Sequence, residues 1–364
     1  MNRRQVLRTA IALSAAQSIP AGAGTQGAKS AGYRYPDEAH PHKRTFMQWP
    51  VSRAVYPSRR MVTDLQQTIA QIANTVAEFE PVVMLMDKAH ASGAGRMLSE
   101  TVEIWDIPTE DLWARDSGPA FVIDGQGGLA ITHFNFNGWG GKQTHRHDGK
   151  IAQRVASRMG LHLFDVGLVG EPGGAEFDGD GTLLVHQSSW VNRNRNPGSK
   201  AEVEALLKET YGADKVIWAP GLAGQDITDF HIDALARFTE PGTVLIQIGD
   251  TRDRNDVWST ASFATYDTLR SVRDAHGRAL RLVTLPDPTD IRVTQDDFVA
   301  SYVNYYVCNG AVIASEFGDT DADARAQSVL SDLYPDREVV MLNTDALGRM
   351  GGGIHCATHQ QPRV

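Results

Sequence analysis

The chain has 364 residues, 41% of them hydrophobic and 22% charged, with a formal net charge of −9. Such a balance belongs to an ordinary globular protein with a core large enough for one closed architecture or two domains. The excess of acid argues against nucleic acid or an anionic membrane surface as partner and mildly favours a cationic one. No apolar run is long enough to span a bilayer, and two cysteines do not make a disulfide scaffold.

The N-terminal segment is set apart. Asn2-Arg3-Arg4-Gln5-Val6-Leu7-Arg8, the apolar stretch from Thr9 to Ile19 and the small residues Ala21-Gly22-Ala23 resemble a twin-arginine export signal, with Val6 where Phe is commoner. Residues 1–31 are thus expected to be a signal and flexible start, and the protein to be exported to the periplasm. Residues 32–364 are expected to form a single domain.

Thr45 to Trp49 reads as a short strand halted by Pro50. Arg59 to Phe79 carries Met61, Leu65, Ile69, Ile72 and Val76 at helical spacing. Val82–Met86 and Val102–Trp105 follow as strands, then a polar loop from Glu110 to Pro119. Phe121–Ile123 and Leu129–Thr132 flank Asp124-Gly125 as a hairpin. The alternation repeats: helix over 150–159, extended 161–169, strand 182–185, helix 200–211, strand 215–218. It continues with strands 234–238 and 243–248, helix 261–275, a hairpin of 301–307 with 311–314, helix 321–333 and strand 338–342.

Trp49, Asp116, Glu176, His231, Asn304 and Cys356 fall near strand ends beside Gly or Pro, on the order of sixty residues apart, close to one ββαβ unit. Repeated units around an axis would send one loop each to a common centre. A two-domain α/β protein would produce a similar spacing.

The chemistry concentrates at the same landmarks. Cys356 follows Gly351-Gly352-Gly353 and stands next to His355. A thiol there is a strong nucleophile if ionised, or else a small buried side chain in a Gly-rich turn. His231 and Asp233, two apart on an expected strand, would share a face, which suits general acid–base work. Asp116 lies beside Trp113 and Arg115, and Glu176 in a run of acids and glycines that does not match a calcium loop. No run calls for a metal or cofactor. Carboxylates around a thiol and an imidazole suit a planar cation, because a guanidinium presents its N–H donors in a fork that matches carboxylates. The thiolate would attack its central carbon, and ammonia would leave with a proton from an acid.

Met47-Gln48-Trp49-Pro50, Trp113-Ala114-Arg115-Asp116-Ser117-Gly118-Pro119, Phe134-Asn135-Phe136-Asn137-Gly138-Trp139-Gly140-Gly141, Asp178-Gly179-Asp180-Gly181-Thr182, His231-Ile232-Asp233, Ser301-Tyr302-Val303-Asn304 and Gly353-Ile354-His355-Cys356 occur in this order. Together they resemble the agmatine deiminase and bacterial-type peptidylarginine deiminase family of the guanidino-group-modifying superfamily, over essentially Gly32 to Gln361. The resemblance implies a five-bladed α/β propeller, the pentein fold, with the site at its centre and no cofactor. It implies Cys356 as nucleophile, His231 as acid and base, Asp116 and Asp233 on the guanidinium nitrogens, and Asn304, Trp113 and Trp49 lining the site. Glu171 or Glu176 would supply a further acid, and Asp226 is another candidate contact. Gly353 departs from the family's usual Asn, and Pro172-Gly173-Gly174 from its usual Glu-Gly-Gly.

The reaction implied is hydrolytic deimination, with agmatine as substrate and peptidylarginine or free arginine as alternatives. A cysteine peptidase would need the thiol and imidazole but not the carboxylates. A non-catalytic polyamine-binding protein would need the carboxylates but not the thiol. Cys308, in an apolar hairpin, is expected to pack.

Overall fold

The computed structural model describes residues 26–364, so the export-signal motif lies outside the described residues. Short strands separated by helices pair locally here, and the result is a ring of five small sheets. Leu163–Phe164 (β6) joins the hairpin Ala120–Ile123 (β4) and Leu129–Thr132 (β5). Ala175–Phe177 (β7), Thr182–His186 (β8) and Lys215–Ala219 (β9) form the next sheet. Ala236–Glu240 (β10), Thr243–Gln247 (β11) and Arg281–Leu285 (β12) form another, and Tyr306–Cys308 (β13), Ala311–Glu316 (β14) and Glu338–Asn343 (β15) a further one. In each, the first two strands are antiparallel and the third is parallel to the second. A parallel neighbour requires a crossover, and a helix supplies it.

The remaining sheet closes the ring. Thr358–Pro362 (β16) pairs antiparallel with His42–Gln48 (β1), which pairs parallel with Val82–Met86 (β2), and that with Val102–Asp106 (β3). The two ends of the domain are thus hydrogen-bonded to one another. This is the five-bladed α/β propeller.

The helices form for local reasons. Arg59–Val76 is capped by Ser58, which accepts from the Met61 N–H, and buries Leu65, Ile69, Ile72 and Val76 on one face. Lys200–Tyr211 opens with a Ser199–Glu202 capping box and ends at Gly212 in the left-handed region.

Several expectations need correction. The helix Lys88–Ala94 and strands β7, β12 and β16 were not anticipated. β16 reads Thr-His-Gln-Gln-Pro, which is polar, yet every residue of it is buried. Its side chains find partners there: Gln360 accepts from Arg115, and His359 bonds Tyr35 and the Ala114 carbonyl. Residues 301–305 are not a strand, since pairing begins only at Tyr306. His231 and Asp233 are not on a strand either, because Ile232–Ala234 is a 3-10 turn and β10 starts after it. Packing also reaches upstream of Gly32, where Ala28 is fully buried in the core and Lys29 pairs with Asp214. Among the described residues no helix is long and apolar enough to cross a membrane.

Candidate active site

The segment leading into the first strand of each sheet is where the chemistry collects. Asp116 sits in the short helix Ala114–Ser117 ahead of β4, and Glu171 to Gly174 lead into β7. His231 and Asp233 precede β10, Asn304 precedes β13, and Cys356 precedes β16. The recurring spacing in the sequence therefore has a physical origin: one entry loop per blade.

These loops meet. Cys356 Sγ accepts from Asn304 Nδ2 at 3.2 Å and lies 3.5 Å from Asp233 Oδ2, while the Cys356 N–H donates to Asn304 Oδ1 at 3.3 Å. The Cys356 carbonyl accepts from the Arg115 N–H, tying the nucleophile loop to the Asp116 helix. Trp139 Nε1 donates to Asp116 Oδ2 at 2.8 Å. His231 Nδ1 lies 3.7 Å from Asp116 Oδ1, and its Nε2 lies 3.2 Å from Glu171 Oε2.

Two oxygens stand out. Asp116 Oδ1 and Asp233 Oδ1 are buried and have no hydrogen-bond partner. A buried carboxylate oxygen left unpaired is costly, so a pair of them at a cysteine and a histidine marks a place built for donors that arrive with a ligand.

Glycine creates the space. A Cβ at Gly173 would lie 2.6 Å from Asp116 Oδ1, 3.0 Å from His231 Nδ1 and 3.2 Å from Asp233 Oδ2. At Gly352 it would strike Trp113 at 2.7 Å, and at Gly353 the Asn304 Oδ1 at 2.6 Å. Gly353 thus lets Asn304 reach the cysteine backbone and sulfur together.

The charges are coupled. Burial opposes the charged form of His231, but the carboxylates of Asp116, Glu171 and Asp233 outweigh it and push the ring up to about 9. Burial raises Asp116 to about 6, against the pull of His231 and with Glu171 and Asp233 adding to the rise. Burial also opposes ionisation of Asp233, yet the His355 hydrogen bond and the charges of His355 and His231 hold it low. The Cys356 thiol is pushed well above its ordinary value by burial and then by Asp233 and Asp116. The site therefore combines a thiol with an imidazolium. A cation between the carboxylates reverses their effect on the sulfur.

A second layer supports His231. Arg195 Nε reaches both oxygens of Glu171 at 3.0 and 2.9 Å, and Arg195 Nη1 reaches Asp229 Oδ2 at 2.8 Å. Lys142 Nζ also reaches Asp229 Oδ2 at 2.8 Å. Among the described residues the non-glycine residues with positive φ are Asn135 (48°), Trp139 (56°), Asp229 (60°) and Phe230 (68°). Trp139 holds Asp116, and Asp229 with Phe230 leads directly into His231. Backbone strain of this kind costs about 1–3 kcal/mol per residue and persists where the surroundings enforce it.

Two of the expected site residues have their carboxylates engaged elsewhere. Glu176 has both oxygens engaged, by Arg237 Nε at 2.9 Å and the Phe238 N–H at 3.3 Å, so of the two candidate acids it is Glu171 that reaches His231. Asp226 accepts from Thr228 and from the Phe230 N–H and shapes the turn before His231. Trp49 is 2% exposed and belongs to the core cluster that also holds Trp113 and Trp139, with Cys356 packed against it. Trp113 lies over Gly352, against which Cys356 also packs. Cys308 is buried, and neither cysteine is in a disulfide. Sequence reasoning did not single out Gly173, Trp139, Arg195, Glu38 or His355. The glycine pair after Pro172, the Phe134 to Gly141 run that contains Trp139 and the histidine beside Cys356 offered the signal. Among the described residues no group of His, Cys, Asp and Glu is arranged to hold a metal ion.

The profile of the Porphyromonas-type peptidyl-arginine deiminase family matches residues 34–362. The chain belongs to this family. Within it, a Streptomyces coelicolor protein is 38% identical over 340 residues, covering 91% of this deiminase-family chain and 99% of its own. Agmatine deiminase of Ectopseudomonas mendocina is 33% identical over 357 residues, covering 91% of this chain and 96% of its own. The solved structure of agmatine deiminase of Enterococcus faecalis superposes with a TM-score of 0.84 at 26% identity, covering 93% of this chain and 98% of the other. Membership accounts for the ring of ββαβ blades and for their entry loops meeting at one centre.

Proposed function

We propose that this protein hydrolyses the guanidino group of agmatine to N-carbamoylputrescine and ammonia through a covalent intermediate on Cys356. The observation that carries the reading is that Asp116 and Asp233 each keep one buried, unpartnered oxygen, with Asp233 Oδ2 3.5 Å from Cys356 Sγ and Asp116 Oδ1 3.7 Å from His231 Nδ1. A guanidinium seated there donates to both. Its charge favours loss of the Cys356 proton to solvent, and the thiolate attacks the central carbon.

His231, held charged by its carboxylate neighbours, gives a proton to the departing nitrogen, and ammonia leaves an amidino-thioether. The ring is then neutral and takes a proton from water, whose oxygen attacks the same carbon. Collapse of that adduct expels the Cys356 sulfur and releases the ureido product. Asn304 fixes the sulfur and its backbone N–H throughout.

Two observations support agmatine over arginine. The matched relatives of Ectopseudomonas and Enterococcus carry that substrate in their names. The cations flanking His231, Arg195 and Lys142, are engaged with Glu171 and Asp229, which leaves neither open to an α-carboxylate. Export would instead bring the enzyme to peptides, and an address does not decide what fills a pocket.

Ammonia release from agmatine, free arginine and a C-terminal arginine peptide tests the substrate. A preference for the peptide by about tenfold in kcat/KM, roughly 1.4 kcal/mol, overturns agmatine and leaves the chemistry standing. Acid quench followed by mass spectrometry should find an amidino adduct on the Cys356 peptide. Substantial turnover by Cys356→Ala would refute the mechanism itself.

A further inference from the structure

His355 has a carboxylate on each ring nitrogen. Its Nδ1 lies 2.7 Å from Asp233 Oδ2 and its Nε2 lies 2.8 Å from Glu38 Oε2, and the ring is 2% exposed. Glu38 is itself gripped from behind: Arg115 Nη2 donates to Oε2 at 2.7 Å, Arg237 Nη2 lies 3.1 Å from Oε1, and the Val307 N–H donates to Oε1 at 2.9 Å. Beyond the ring is a polar cavity of about 30 Å³ bordered by Glu38, Arg115, Glu176 and Arg237. The charged and titratable groups around His355 are Asp233, Glu38, Glu176 at 4.0 Å, Arg115, whose Nε reaches the His355 carbonyl, Arg237, and His359.

We infer that His355 is a positioning residue for the reaction: the buried line Glu38–His355–Asp233 decides which oxygen of Asp233 faces the substrate and keeps an extra proton beside Cys356. The first half follows from the bonds. Asp233 Oδ2 is occupied by His355, so the carboxylate cannot swing, and it is Oδ1 that remains unpartnered. The second half follows from counting protons. Two N–H···O bonds along the line need two protons, one more than a neutral imidazole carries. That proton leaves either an imidazolium or one neutralised carboxylate next to Cys356, and in both cases the sulfur meets less negative charge than Asp233 and Asp116 alone would impose. Burial opposes an ionised Glu38, yet Arg237, His355 and Arg115 hold it well below the usual carboxylate range, so Glu38 acts as the fixed negative anchor of the line.

This rests on Cys356 being the nucleophile, so one arm of the test needs no turnover. In a Cys308→Ser background, Cys356 is alkylated with iodoacetamide across a pH series, with the modified peptide identified by mass spectrometry. The comparison is between the parent, His355→Gln, His355→Asn and Glu38→Gln. Each variant loses the extra proton, so alkylation at a fixed pH below its midpoint should slow by about tenfold and the midpoint should move up.

The second arm measures kcat and KM for agmatine. Asn places an amide where Nδ1 stood and keeps the donor to Asp233, whereas Gln reaches only toward Glu38. His355→Gln should therefore raise KM by about tenfold, and His355→Asn should restore most of it. Unchanged alkylation midpoints in the folded variants overturn the inference, as does equal KM in the Asn and Gln variants. If the His355 variants do not fold, Glu38→Gln alone decides, because it touches neither Asp233 nor the sulfur. A normal alkylation profile in Glu38→Gln overturns the proposal. Absence of turnover in the parent, with the alkylation shifts intact, would indict the substrate reading instead.

Discussion

Gly173→Ala is the sharpest test of where the substrate sits. The new methyl carbon would lie 2.6 Å from Asp116 Oδ1 and 3.0 Å from His231 Nδ1. Gly173 is not among the glycines with positive φ, so alanine suits its backbone and the whole effect is steric and local. Non-bonded carbon contacts settle near 3.5 Å or more, so the Asp116 carboxylate must retreat by most of an ångström. That pulls Oδ2 from Trp139 Nε1, now at 2.8 Å. A lost hydrogen bond to a charged group is worth about 1.5–3 kcal/mol, or about ten- to a hundredfold in rate. Misplacing the reacting groups by an ångström adds about another hundredfold. The expected fall in kcat/KM is therefore about a thousandfold or more, while overpacking takes only about 1–3 kcal/mol from stability. Ammonia-release kinetics on agmatine and a thermal melt of the same preparation read both quantities. A folded Gly173→Ala enzyme within about threefold of wild type in kcat/KM, a difference under about 1 kcal/mol, would show that the guanidinium does not lie between Asp116 and Asp233.

The pH profile of kcat/KM should rise through about 6 as Asp116 loses its proton and can bind a cation, and fall through about 9 as His231 loses the proton it must give to ammonia. Glu171→Gln removes one of the carboxylates that raise His231, so the alkaline limb should move to lower pH by about one unit, and an unmoved limb would separate Glu171 from the acid–base chemistry. Arg195→Met strips Glu171 and Asp229 of a buried partner and should destabilise the fold by about 3–5 kcal/mol in denaturant titrations. A loss below about 1 kcal/mol would mean these ion pairs behave like surface ones. His186 is fully buried between the Phe230 carbonyl and Thr265, and burial, helped by the charge of His231, lowers it to about 4. A lowered histidine leaves the unfolded chain the better proton binder, so its contribution is complete above about 6.5 and is lost as pH falls toward 4, by about 3 kcal/mol at most. The stability advantage of wild type over His186→Asn should shrink across that window. A constant difference would contradict the shift.

What could be read from the sequence alone was what depends on local periodicity and on residue chemistry. The helix beginning at Arg59 announces itself by its apolar spacing, and the helix over 200–211 was also expected. The thiol of Cys356, the imidazole of His231 and the carboxylates of Asp116 and Asp233 are recognisable as reactive or charge-binding types at recurring intervals. What the sequence left open depended on which distant groups come within about 3 Å, the reach of a hydrogen bond. β16 is polar in composition and buried only because Arg115, Tyr35 and the Ala114 carbonyl meet its side chains. Glu171 and Glu176 are the same residue type in one short run. One stands before β7 and reaches His231, while the other lies inside β7 and is taken by Arg237. The expected strand through His231 and Asp233 failed because the unpaired approach to β10 tightens into a turn, and from that turn Asp233 reaches Cys356 while His231 reaches Asp116 and Glu171. Residue type decides which chemistry is available, but closure of the ring decides which oxygens are left without a partner, and the site lies where Asp233 reaches the Cys356 sulfur and Asp116 reaches His231.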